Sequence, residues 1–131
     1  MIAVRKIDYQ TAKEFAHGCE LKVLNLDKKN AYYGLYVNNS LISIASFLKI
    51  GKNEIRLKSN YTKQEHRHHG HMTMLLEHIM KENNAKLYSA YCEKESLNLY
   101  LNLGFKIVKF RQNPTFCCWV VNKENKDYGS K

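Results

Sequence analysis

Two hydrophobic periods run through this chain, and the points where one gives way to the other outline its elements. Residues Ile2 to Ile7 suit a first strand, and the carboxylate of Asp8 stands where it can accept the first free N–H groups of a helix. Behind it Ala12, Phe15, Ala16 and Cys19 fall at i, i+3, i+4 and i+7, one apolar helix face. The stretch LKVLNLDKKN fits either a second short helix or a loop. AYYGLYV and LISIASFLKI are β-rich runs joined by Asn38-Asn39-Ser40. Asparagine tolerates the positive φ of a tight hairpin turn, so these runs are expected to pair antiparallel. In EIRLKSNYT, Ile55, Leu57 and Tyr61 alternate with Glu54, Arg56, Lys58 and Asn60, the period of a strand. From Met72 the helical period returns through Leu75, Leu76, Ile79 and Met80. AKLYSAYC reads as the next strand and EKESLNLYLNLG as a helix closed by Gly104. FKIVKF and TFCCWVV, joined by RQNP, are expected to form a last antiparallel pair.

The order is therefore β, α, (α), β, β, β, α, β, α, β, β. The strand–helix–strand unit over residues 54–92 needs a crossover and must be locally parallel, whereas the hairpins beside it are antiparallel. This is an α/β chain with a mixed sheet of about seven strands and three to four helices on its faces. One domain is expected over residues 1–121, and the polar stretch NKENKDYGSK, residues 122–131, is expected to be a flexible tail.

Composition changes this picture little. The chain is 44% hydrophobic and 25% charged, as globular proteins are. No apolar run approaches the roughly 20 residues that span a bilayer. MIAVRKID reads as a strand and not as a signal-peptide core, so a cytoplasmic protein without membrane contact is expected. Cys19 and Cys92 stand alone and Cys117 and Cys118 are adjacent, which makes neither a CxxC pair nor a spaced disulfide framework; reduced thiols are expected. The net charge of +9 concerns partners. It would draw an anionic ligand, nucleic acid or an acidic surface, and a merely lysine-rich surface gives the same number.

The chemistry concentrates in EHRHHGHMTMLLEHIM, where histidines crowd the turn between a strand and a helix. A helix start aims free N–H groups outward and carries partial positive charge, so the segment from Arg67 to Thr73 fits a phosphate or pyrophosphate. Gly70 lets the backbone approach an anion closely, and Thr73 adds a hydroxyl in the first turn. His66, His68, His69 and His71 are packed too tightly along the chain for a finger-like zinc site, so no metal is expected. They read equally as phosphate neighbours, whose pKa an anion would raise, or as solvated loop residues. Glu54, Arg56, Lys58 and Asn60 form one polar face on a strand that should be central, which suggests a wet cleft.

YTKQEHRHHGHMTMLLEHIM resembles motif A of the GCN5-related N-acetyltransferase superfamily, whose loop follows Arg/Gln-x-x-Gly-x-Gly/Ala. SLNLYLNLGF looks like that superfamily's next helix, and LYVNNSLISIASF is similar to its central hairpin. The likeness runs through nearly the whole chain except the tail. Met72 stands where the motif prefers Gly or Ala, His68 and His69 replace a small and basic pair, and Glu93 stands where asparagine is common.

The resemblance implies a GNAT-like fold and an acetyl-CoA-dependent N-acetyltransferase whose amine acceptor is a polyamine, a protein lysine, an N-terminus, a small drug or a nucleobase. It implies that the backbone of Arg67, His68, His69, Gly70, His71, Met72 and Thr73 holds the coenzyme A pyrophosphate, and that Tyr61 and Thr62 pair with the pantetheine arm. It implies Tyr100 as the acid that protonates the departing thiolate, a fitting role for a phenol of pKa near 10; a helix aromatic packed on the sheet is the other reading of that residue. Glu54, thirteen residues ahead of Arg67, matches the base glutamate of histone-acetylating members, and otherwise reads as an exposed carboxylate at a strand start. Two alternatives share the fold: the Mom-type DNA-modifying proteins of phages, which are small and basic, and a non-catalytic module whose basic cleft binds nucleic acid.

Overall fold

The structure is a computed structural model, and it describes residues 1–19, 26–111 and 117–122. The elements follow in the order β1 (Ile2–Ile7), α1 (Tyr9–Gly18), β2 (Ala31–Val37), β3 (Ser40–Ile50), β4 (Glu54–Thr62), a 3-10 turn (Gln64–His66), α2 (His71–Asn83), β5 (Leu87–Cys92), α3 (Lys94–Asn102), β6 (Lys106–Arg111) and β7 (Cys117–Asn122). The seven strands are hydrogen-bonded in the order β1-β2-β3-β4-β5-β7-β6. The expected mixed α/β architecture is present. The Gln64–His66 turn has no counterpart in the hydrophobic pattern, and β7 runs one residue into the polar stretch 122–131. Residues 21–25 of the ambiguous segment LKVLNLDKKN, residues 112–114 of the RQNP connection and residues 123–131 lie outside the described residues, and residues 26–30 form a turn and not a helix. No helix among the described residues is long and apolar enough to cross a membrane.

The chain divides into two compact units, Met1–Leu48 with Lys58–Glu82, and Lys49–Leu57 with Asn83–Lys131. In the first, β1, β2 and β3 form an antiparallel meander, with Ile2 opposite Val37 and Ile7 opposite Tyr32. Asn38 and Asn39 both take positive φ, 50° and 70°, the primed turn that matches strand twist. Asp8 caps α1 as expected, its Oδ1 accepting from the Thr11 N–H at 2.7 Å. The helix seats Ala12 and Phe15 on Tyr32 and Ile44, and α2 buries Leu75, Leu76, Ile79 and Met80. The hydroxyl of Tyr33 donates to Glu82 Oε1, and His78 Nε2 lies 3.1 Å from Glu82 Oε2. This ties the end of α2 to β2.

In the second unit Glu54–Leu57 of β4 runs parallel to Leu87–Ala90 of β5, as the crossover requires, and β5, β7 and β6 are mutually antiparallel. One side of these strands is apolar, with Ile55, Leu57, Tyr88, Ala90 and Val120 buried. Helix α3 packs on β5 and β7. It closes at Gly104, whose φ of +92° suits a residue without Cβ. The Phe105 N–H reaches the Tyr100 carbonyl at 3.0 Å and the Gly104 N–H reaches Leu101 at 3.0 Å, a Schellman pair.

Candidate functional site

In the first unit the end of β4 is held by hydroxyls from β3. Ser46 Oγ accepts from the Ser59 N–H at 3.0 Å and donates to the Ser59 carbonyl at 3.2 Å. Ser43 Oγ donates to the Tyr61 carbonyl at 3.2 Å and lies 2.7 Å from Thr62 Oγ1. Both serines are buried, and a buried hydroxyl needs such partners. They fix the backbone at Tyr61 and Thr62, where the pantetheine arm is expected. The ring of Tyr61 packs edge-on to Phe15, and the Arg67 guanidinium lies 5.0 Å from its centre. Arg67 Nε also donates to the Thr62 carbonyl at 3.0 Å, so the loop arginine staples the loop back onto the strand.

From there the chain passes through His68 and Gly70, both at positive φ (68° and 76°). Gly70 faces open space, with nothing within 4 Å of where a Cβ would stand. Its carbonyl accepts the Met74 N–H at 3.1 Å and so begins α2. The N–H groups of His71, Met72 and Thr73 precede that bond and have no intrahelical acceptor. Met72 is half-buried, in keeping with its place on the apolar stripe.

The histidines are not equivalent. His68 and His69 are exposed, whereas His71 is half-buried with its ring 5.8 Å from that of His69 and 6.4 Å from that of His66. Its Nδ1 is buried and has no hydrogen-bond partner. Burial lowers the His71 pKa, and the neighbouring His69 and His66 lower it further, so the ring is kept neutral. Among the described residues no group of three His, Cys, Asp or Glu is arranged to hold a metal ion.

In the second unit Glu54 does not stand as a lone carboxylate at a strand start. Its Oε2 accepts from Ser89 Oγ at 2.6 Å, a charge-assisted length, and from Arg56 Nη2 at 3.3 Å. Glu54 and Arg56 keep about a fifth of their side-chain surface, 21% and 22%. Arg56 lies 4.8 Å from the ring centre of Trp119 and 5.3 Å from that of Tyr91. Ser89 and the aromatic pair escape a reading of the sequence because β5 and β7 meet β4 only through the sheet. The polar alternation of β4 was the one signal available.

Tyr100 is 2% exposed, and its ring meets Phe105 at 5.2 Å, nearly edge-on. That contact is the apolar one that accompanies a Schellman end, so the helix terminus itself places the ring. Thus Tyr61, Thr62 and the Arg67–Thr73 loop form one connected structure in the first unit. Glu54 and Tyr100 both belong to the second.

Residues 3–105 match the family described as "Acetyltransferase (GNAT) family". No curated protein matches the chain in sequence. Solved structures share the fold at low identity. The ribosomal-protein alanine N-acetyltransferase from Escherichia coli is 14% identical with a TM-score of 0.78, covering 92% of each chain. A GNAT family acetyltransferase from Elizabethkingia anophelis, with acetyl-CoA bound, is 15% identical with a TM-score of 0.69, over 93% of this chain and 97% of that one. An N-acetyltransferase described as putative, from Lactobacillus plantarum, is 12% identical with a TM-score of 0.76, over 93% and 97%.

Proposed function

We propose that this chain, which belongs to the acetyltransferase (GNAT) family, transfers an acetyl group from acetyl-CoA to an amine. The observation that carries the reading is the anion-ready loop within the matched residues. An open Gly70 at positive φ leads into a helix whose first N–H groups have no intrahelical acceptor. The unpartnered Nδ1 of His71 in the same turn is a further polar atom for a ligand to satisfy. A relative of the same fold carries acetyl-CoA, which supports this coenzyme over other anions.

Acetyl-CoA would supply the activated acetyl thioester. The backbone from Arg67 to Thr73 would hold its pyrophosphate, Arg67 keeping the loop against β4 through the Thr62 carbonyl. The β4 backbone at Tyr61 and Thr62, set by Ser43, would carry the pantetheine arm. Glu54, oriented by Ser89 and Arg56, would take the proton of the attacking amine directly or through water, and Tyr100 would return a proton to the thiolate. The amine nitrogen forms its bond to the acetyl carbon as the carbon–sulfur bond breaks.

The direct test is thermal unfolding with acetyl-CoA, free CoA and duplex DNA, followed by thiol release with an amine panel. A ligand at 100 times its Kd adds roughly 2.7 kcal/mol of stability. Stabilisation by both coenzyme forms and thiol release with an amine are expected. Absence of a shift with either coenzyme form would end the reading.

A further inference from the structure

We infer that the side of β5, β7 and β6 that carries Tyr91, Trp119 and Lys109 is a platform for single-stranded nucleic acid, bordering the Glu54–Arg56–Ser89 group of the proposed reaction. The strand registers build it. Tyr91 on β5 stands opposite Trp119 on β7, and Trp119 stands opposite Lys109 on β6. In the next row Arg56 on β4 stands opposite Ser89, Ser89 opposite Val121, and Val121 opposite Lys106. An aromatic pair therefore sits on the inner two of the strands β4, β5, β7 and β6, with a cation on either flank.

Tyr91 is the exposed member of the pair and Trp119 is half-buried. Tyr91 is 61% exposed, its ring centre 4.5 Å from that of Trp119. Lys106 and Lys109 are exposed. Arg56 is bonded to Glu54 and lies over both rings, and Tyr91 keeps most of its surface in solvent even so. A buried interior would explain an aromatic pair, here tilted by 41°, but an exposed tyrosine of this size on a sheet face is not holding a core together.

The chemistry selects the occupant. Bases stack on exposed rings whatever their identity, and the phosphates between them need cations at the flanks. Sheet faces that present aromatics from neighbouring strands bind unpaired bases in this way. The net charge of +9 adds long-range attraction for a polyanion. An acidic peptide would satisfy the lysines and leave the rings unused. Duplex DNA keeps its bases out of reach of Tyr91.

The chain's only tryptophan is Trp119, so intrinsic fluorescence reports on the platform directly. The full chain is titrated with an unlabelled thymidine dodecamer at rising NaCl, and with a fluorescein-labelled copy for anisotropy. Saturable change in Trp119 emission is expected, with affinity falling as salt rises by about 0.7 log unit per log unit for each phosphate neutralised. Tyr91→Ala should weaken binding about tenfold at every salt concentration. Lys106→Glu with Lys109→Glu should weaken it and flatten the salt slope. Lys13→Glu with Lys29→Glu, the same charge change on exposed residues of the other unit, should weaken it far less. Retention of the acetyl-CoA thermal shift in each variant reports that the fold is intact. The inference is overturned if the dodecamer leaves both signals unchanged at low salt. It is also overturned if the two double variants weaken binding equally, or if polyglutamate or duplex DNA displaces the dodecamer at equal charge concentration.

Discussion

Removing the phenol oxygen of Tyr100 while keeping its ring separates two roles that the helix end has merged. The ring is 2% exposed and meets Phe105 at 5.2 Å, a contact made by carbon atoms that phenylalanine also has. Tyr100→Phe therefore keeps the Schellman end and its packing, and loses the hydroxyl's own interaction, about 1–3 kcal/mol where a buried partner is left unsatisfied. In a chain of this length that lowers Tm by several degrees. Tyr100→Ala instead empties the ring site, at about 3–5 kcal/mol. If the phenol protonates the thiolate, its removal should lower kcat by about 10²–10⁴, with acetyl-CoA Kd nearly unchanged. A hundredfold loss is about 2.7 kcal/mol of barrier, whereas a domain stable by about 5–15 kcal/mol stays almost wholly folded after so small a loss, so the effect cannot pass for instability. The assay is thiol release at saturating acetyl-CoA, with Kd from isothermal titration and Tm recorded on the same preparations. A drop in kcat of under about threefold in Tyr100→Phe would refute the acid role and leave Tyr100 as a packing residue of α3.

Gly70→Val should abolish the acetyl-CoA thermal shift while leaving the apo protein folded: space is open there, but a β-branched residue at φ +76° forces the loop to a new path. An undiminished shift would remove the loop from the coenzyme site. Glu54→Gln should lower kcat/KM about a hundredfold, and Ser89→Ala, which releases Oε2, should lower it less; full activity in Glu54→Gln would discard the base. The His71 pKa is lower folded than unfolded, so the unfolded chain takes up its proton first. This group therefore costs nothing above about pH 6.5 and destabilises the fold as pH falls below it. Urea unfolding between pH 5 and 7.5 should show that loss in the wild type and a smaller one in His71→Asn; parallel profiles would show His71 to be uninvolved. A bound pyrophosphate would raise the His71 pKa again, so CoA affinity should rise as pH falls toward 6, with proton uptake in calorimetry; a metal site would instead release protons.

What the sequence determined by itself is what depends on residues a few positions apart. Asp8 caps α1 three residues on, Asn38 and Asn39 turn the hairpin, and Gly104 closes α3. The alternation of β4 separates buried Ile55 and Leu57 from more open neighbours over Glu54–Lys58 but not over residues 59–62, the stripe from Leu75 to Met80 marks the buried face of α2, and the crossover forces β4 parallel to β5. Each follows from backbone geometry or from a period that a short window contains. Tertiary structure decided what depends on register and on distant chain. Nothing near Glu54 in sequence foretells that Ser89, 35 residues away, donates to it, nor that Tyr33 reaches Glu82 across 49. The histidine turn is the clearest case. Its residues form a visible cluster, but that His71 is the one half-buried with an unpartnered Nδ1 and a lowered pKa depends on how the turn packs, with His66 and His69 beside it. The lowering at His71 follows from desolvation and neighbouring charge, which are properties of the packed chain and not of the local sequence.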